Sequence, residues 1–225
     1  MSSGGYTGEV VAGGPPDVRE LPGLRVTKLS VGDFDNNVYL LRCASTGETV
    51  LVDGAADAPR ILAALGDDRL TAVVQTHGHW DHVRAIAEVR EATGAALLCH
   101  ADDVPMMPEG QSPTLVADGE VIPVGATSVR AIHLAGHTPG GLALVYDAEG
   151  TAADAPHLFS GDSLFPGGPG NTEKDPARFA QLLGDLETKV FDALPDATWV
   201  YPGHGKDTTL GTERPSLPEW RVRGW

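Results

Sequence analysis

Three of the eight histidines in this 225-residue chain fall within six residues, in Thr76-His77-Gly78-His79-Trp80-Asp81-His82, directly after the apolar run Leu70 to Gln75. Packing does not generate such a cluster. A single histidine is ordinarily a satisfied core or surface residue, whereas closely spaced imidazoles with a carboxylate among them are the donors that Zn²⁺ and similar borderline divalent ions prefer. On a loop at the end of a strand, His77 and His79 can converge on one ion while Asp81 and His82 face another. The spacing predicts a two-metal centre and demands a fold that delivers further ligands to the same strand end.

Three later segments offer them. His137 lies in Ala135-Gly136-His137-Thr138-Pro139-Gly140-Gly141, Asp162 in Phe159-Ser160-Gly161-Asp162-Ser163, and His204 in Tyr201-Pro202-Gly203-His204-Gly205. Each follows an apolar strand-like run and is flanked by glycine, which lets the backbone turn sharply after a strand.

The intervening chain alternates between strand and helix signals. Leu24 to Ser30, Val38 to Arg42 and Thr49 to Val52 read as a strand meander, and Asp57 to Gly66 as a helix with Pro59 in its first turn and Gly66 as its stop. A buried strand is predicted over Leu70 to Gln75, a helix over Val83 to Thr93, and a strand over Ala95 to Cys99. Asp102 to Gly119, with Pro105, Pro108 and Pro113, reads as a long loop without regular structure. Further strands are expected at Val121 to Val124, Ser128 to Leu134, Leu142 to Tyr146, His157 to Ser160 and Trp199 to Tyr201. A long amphipathic helix opens at Asp175-Pro176, with Phe179, Leu182, Leu183, Leu186, Val190, Phe191 and Leu194 on one face. Two runs of strands, each followed by helices, imply two packed sheets with helices outside.

The length allows one large domain, with or without a small appendage. Residues 1–23, rich in Gly and Pro, are expected to be a flexible lead-in, and residues 24–225 a single domain. A net charge of −15 opposes binding to nucleic acid or anionic membranes and leaves a small molecule as the expected partner, in an oligomeric state the sequence leaves open. Cys43 and Cys99 are too few for a disulfide scaffold and read as buried small hydrophobes. With no apolar run of about 20 residues and no signal-like N-terminus, a cytoplasmic location is expected.

The His77 to His82 run, GHTPGG at 136–141, SGDSLF at 160–165 and PGHG at 202–205 together resemble the metallo-β-lactamase-fold hydrolase superfamily, and within it the glyoxalase II-like (hydroxyacylglutathione hydrolase-like) branch. The segments Asp33 to Leu40 and Leu51 to Gly54 also look like early strands of that branch. The resemblance implies an α/β fold: a four-layer αββα sandwich of two mixed β-sheets flanked by helices, with metals at one edge. It assigns His77, His79 and His137 to a first metal, Asp81, His82 and His204 to a second, and Asp162 to both, and it places catalysis at Asp81 and Asp162. The implied cofactors are two divalent ions, zinc first, with iron or manganese as alternatives. The implied reaction is hydrolysis of small thioesters, S-acylated low-molecular-weight thiols, by a metal-bridged hydroxide. A thiolate, whose parent thiol has a pKa of about 8.5, leaves with little help from an acid, unlike the amine of an amide or β-lactam.

Two departures from the branch stand out. Val83-Arg84-Ala85 occupies the helix start where the branch usually has glycine, and 21 residues follow His204, too few for the helical domain with which glyoxalase II enzymes grip glutathione. Two other enzyme readings are open. His77, His137 and Asp162 alone form the two-His, one-carboxylate set of a mononuclear non-haem iron persulfide dioxygenase, and lactone or β-lactam hydrolysis is a further alternative. Among the remaining polar residues, Asp53 and His100, each ending a strand, are candidates to orient metal-bound imidazoles. Asn171 is a candidate hydrogen-bond donor to substrate. Trp80 would form either an apolar wall beside the metals or helix packing, His133 and His157 read as structural, and the tail with Lys206, Arg214, Trp220, Arg221, Arg223 and Trp225 either covers the site or docks on a sheet edge.

Overall fold

The structure, a computed structural model, describes residues 5–147 and 155–224. Strands β1 (Asp17–Leu21), β2 (Leu24–Val31), β3 (Asn36–Cys43), β4 (Thr49–Val52), β5 (Leu70–Val74), β6 (Ala96–Cys99) and β7 (Thr114–Leu115) form one sheet in sequential order. Its first four strands are antiparallel, and β4, β5, β6 and β7 run parallel. The second sheet contains β8 (Val121–Val124), β9 (Thr127–His133), β10 (Leu142–Tyr146), β11 (His157–Gly161), β14 (Trp199–Pro202) and β15 (Thr208–Thr209), with β11 parallel to β14. Between them in sequence, β12 (Leu164–Phe165) and β13 (Gly168–Pro169) make a small separate hairpin.

Alternation along the strands creates the layers. Val50 and Val52 of β4, with Leu142, Leu144 and Tyr146 of β10, meet in the core between the sheets. Leu51 points the other way, to a core shared with α1 (Ala58–Leu65) and α2 (Ile86–Thr93). Ala143 and Val145 likewise face α3 (Pro176–Asp185) and the π-helical turn Leu186–Phe191 that continues it. This is the four-layer αββα arrangement with two mixed sheets.

Three expectations change, and the tail follows one of the two courses expected of it. Folded structure begins well before Leu24: β1 pairs with β2, Tyr6 donates to Asp207 and packs against Trp199 and Tyr201, and Lys28 Nζ donates to the Gly8 carbonyl. An aromatic contact and a buried lysine needing acceptors hold this segment in spite of its glycines; residues 1–4 lie outside the described part. Helix α2 starts at Ile86, three residues late, because Arg84 and Ala85 spend their N–H groups on the carbonyls of Ala55 and Gly54. The proline-rich stretch is partly regular, with a 3₁₀ segment over Ala101–Met106 and strand β7. The tail pairs through β15 with β14, continues as α4 (Leu210–Glu213) and α5 (Leu217–Arg223), and buries Trp220 beside Phe191, so it docks on the second sheet and its helices; Trp225 lies outside the described residues.

Candidate metal centre

Parallel strands deliver their C-terminal ends to one edge. Because β4 and β5 are parallel, Asp53 and the His77–His82 loop emerge side by side; because β11 and β14 are parallel, Asp162 and His204 do too. The two edges are stitched together: Leu142 N donates to Thr76 O at 2.7 Å and Asn37 N to Gly203 O at 2.7 Å. All seven residues expected as ligands thus face one space between the sheets.

They sort into two groups whose ligand atoms lie within 4.8 Å of one another, His77 with His79 and His137, and Asp81 with His82 and His204. Asp162 stands between the groups. Its Oδ2 is 3.9 Å from His77 Nε2, 3.5 Å from His137 Nε2 and 3.6 Å from His204 Nε2, while its Oδ1 is 3.5 Å from His82 Nε2. Gly203 makes this approach possible, since a Cβ there would collide with Asp162 Oδ1.

The far side of three of the rings is occupied. His137 Nδ1 faces the Asn171 carbonyl at 2.7 Å, His204 Nδ1 the Phe34 carbonyl at 2.8 Å, and His82 Nδ1 the Asp53 carboxylate at 3.0 Å. A carbonyl can only accept, so Nδ1 carries the proton in His137 and His204, and Nε2 keeps its lone pair toward the centre. Asp53 also accepts from Thr76 N and Oγ1, at 2.7 and 2.8 Å, and it does so from the left-handed region at φ 63°. A non-glycine residue held there by surrounding bonds is locally strained.

Burial and neighbouring carboxylates pull the imidazoles of this centre in opposite directions. Burial holds His77, His79 and His137 below the usual imidazole range, so they are neutral donors. Burial also opposes charge on His82, but the carboxylates of Asp162 and Asp53 outweigh it and raise His82 to about 10. Asp162 is likewise buried, which favours its neutral form, yet the His82 imidazolium beside it outweighs this and holds its carboxyl well below the usual carboxylate range. His77 Nε2, His137 Nε2 and Asp162 Oδ1 are buried without a hydrogen-bond partner. Orphaned buried acceptors converging from different loops are costly unless a cation meets them. The donor set of imidazole nitrogen and carboxylate oxygen therefore fits divalent metal ions.

The other candidates fall differently. His100 touches none of these imidazoles; its ring stacks on His133 at 3.9 Å and its Nδ1 accepts from Asp102 N, because the chain after β6 turns away into the 3₁₀ segment. Asn171 acts on His137 through its backbone carbonyl, while its side-chain Oδ1 accepts from Glu173 N at 2.8 Å. Trp80 is 57% exposed, edge-on to Phe34 and beneath the Arg84 guanidinium, an apolar rim beside His79. His157 is buried against the Tyr201 hydroxyl at 2.9 Å.

Three residues that sequence reasoning missed support the centre. Asn36 Nδ2 donates to Asp81 Oδ2 at 2.9 Å. Gln75 Nε2 donates to the carbonyls of His77 and His82, closing the ligand loop on itself. Asp103 accepts from Gly78 N and Gly140 N. Gln75 carried a signal, a polar residue ending an apolar strand; Asp103, in a proline-rich stretch, carried none.

Comparison with known proteins follows the same lines. The profile of the Metallo-beta-lactamase superfamily matches residues 31–204. A hydroxyacylglutathione hydrolase of Rhodospirillum rubrum is 34% identical over 172 residues, covering 76% of this chain and 62% of that protein, so the chain spans less than two thirds of that relative's length. Among solved structures, TTHA1623 in a di-iron-bound form superposes with a TM-score of 0.71 at 29% identity, over 85% of this chain and 98% of that one. ETHE1 from Myxococcus xanthus gives 0.72 at 26% identity, over 86% and 83%.

Proposed function

The chain belongs to the metallo-beta-lactamase superfamily, and we propose that within it the protein is a two-metal hydrolase of small thioesters, S-acylated low-molecular-weight thiols. The observation that carries this reading is the position of Asp162, whose two oxygens face both donor groups at 3.5–3.9 Å. In this reading His77, His79 and His137 hold one ion, Asp81, His82 and His204 the other, and Asp162 both. Bound there, divalent ions would supply Lewis-acid polarisation of a carbonyl and acidification of water at neutral pH.

The chain's own residues supply orientation. Asp53, Asn171 and Phe34 aim His82, His137 and His204 through their Nδ1 atoms, and Asn36 aims Asp81. The contacts described above bring imidazoles, carboxylates and the Asn36 amide to the centre, a set suited to a leaving group that departs as an anion, as a thiolate does. Phe34 and Trp80 form an apolar rim that an acyl group could rest on. The likeness to the hydroxyacylglutathione hydrolase of Rhodospirillum rubrum supports the thioester class.

A second reading rests on His77, His137 and Asp162 as a two-His, one-carboxylate iron site for persulfide oxidation, with the likeness to ETHE1 beside it. Metal analysis of the purified protein with a panel of thioesters, persulfides and lactones separates the two. Two metals per chain with chelator-sensitive thioester turnover is the expected result. One iron with oxygen uptake on persulfide addition would overturn it.

A further inference from the structure

The 3₁₀ segment Ala101–Met106 follows the end of β6 in the first sheet, and its Asp103 contacts both Gly78 and Gly140. It carries Asp103, whose side chain is fully buried. Asp103 Oδ2 accepts from Gly78 N at 2.8 Å, and Oδ1 accepts from Gly140 N at 2.7 Å. The first of these amides is the peptide between His77 and His79; the second lies three residues beyond His137. One carboxylate therefore grips both loops that present the first donor group.

The surrounding contacts make the grip tight. A Cβ at Gly78 would collide with Met106, and one at Gly140 would stand 2.7 Å from Asp103 N and 2.8 Å from Asp103 Oδ1. Glycine at both positions is what lets the segment come this close. A second rung lies beside it: His100 stacks on His133, and His133 Nε2 donates to the carbonyl of Pro139, the neighbour of Gly140.

Charge sharpens the point. No cationic side chain pairs with Asp103 among the described residues, so its partners are two neutral amides. Burying a carboxylate without a countercharge is unfavourable by several kcal/mol, and two amide bonds recover part of that. Asp81 belongs to the second donor group and Asp162 faces both, whereas Asp103 is a buried carboxylate bonded to the two loops that bear His77, His79 and His137.

We infer that Asp103 is the positioning residue of the first metal site: by accepting from Gly78 N and Gly140 N it sets the separation of the His77–His79 and His137 loops. This rests on the two-metal reading above, and the experiment tells the two apart. Zinc alone is titrated into metal-free protein carrying one intact site, His204→Ala for the first and His137→Ala for the second, each with and without Asp103→Asn. The expected result is about tenfold or greater weakening in the His204→Ala background, within the range for residues that support a ligand, and less than twofold in the His137→Ala background. Amide exchange at Gly78 and Gly140 in the metal-free protein is the second readout, expected to accelerate in Asp103→Ala. Equal weakening in both backgrounds, unchanged zinc affinity, unchanged exchange, or loss of the fold in both Asp103 variants overturns the assignment. A His204→Ala protein that binds no zinc overturns the metal reading itself, and the inference with it.

Discussion

Asp53 Oδ2 lies 3.0 Å from His82 Nδ1, with both side chains buried, and the same carboxylate accepts from Thr76 N and Oγ1. One acid thus fixes an imidazole and the start of the ligand loop. Asp53→Ala leaves these donors unpartnered and is expected to destabilise the fold by about 2–4 kcal/mol, the penalty of a few buried orphaned groups. Zinc affinity at the Asp81, His82 and His204 group should fall about 10- to 100-fold. Urea unfolding and metal titration measure the two effects; wild-type affinity in this variant would show that Asp53 does not orient His82.

Asp162 faces both donor groups. In the two-metal thioesterase reading, Asp162→Ala removes the proposed shared ligand and is expected to lower thioester turnover roughly a thousandfold or more. The circular dichroism spectrum should stay native, because the residue lies at the sheet edge outside the three apolar cores. Retained turnover would overturn the proposed bridging role of Asp162.

Gly203 packs its α-carbon against Asp162. In Gly203→Ala the new methyl would displace the carboxylate and press on His82 Cε1, 3.0 Å away. Overpacking of this kind costs about 1–3 kcal/mol, and here the strain falls on the ligands. Metal content per chain should drop, read by elemental analysis, while the folded protein survives. Full metal content with native activity would mean that the loop yields freely.

His157, in β11, is buried away from the metal edge, and burial, reinforced by Arg19, lowers it to about 4. A histidine whose folded value is depressed binds fewer protons folded than unfolded between about pH 6.5 and 4. Its contribution is fully present above pH 6.5 and is lost as pH falls toward 4, at no more than about 1.4 kcal/mol per pH unit. Denaturant unfolding of His157→Gln across that window should show a shallower pH slope than wild type; an identical slope would refute the linkage.

Much of the centre was legible from local pattern. A ligand that follows an apolar strand is visible in sequence, because strand runs and the glycines that end them are local features, and His77, His79, Asp81, His82, His137, Asp162 and His204 all have that form. Asp53 was found on the same logic. His100 has the same form and lies elsewhere, since the strand end sets where a side chain starts and not where the following segment turns.

The amino-acid sequence by itself determined the candidate ligand residues, their order, and the two strand-helix runs that make an αββα sandwich, through periodicity and spacing over a few residues. Tertiary structure alone decided which distant groups support them. Asn36 reaches Asp81, Asn171 offers a carbonyl to His137, Asp103 grips two glycine amides, and Tyr6 draws the N-terminal segment onto the sheet edge. These are backbone and buried polar contacts between segments far apart in the chain. They depend on how closely two sheets meet at one edge, and no local periodicity encodes that distance.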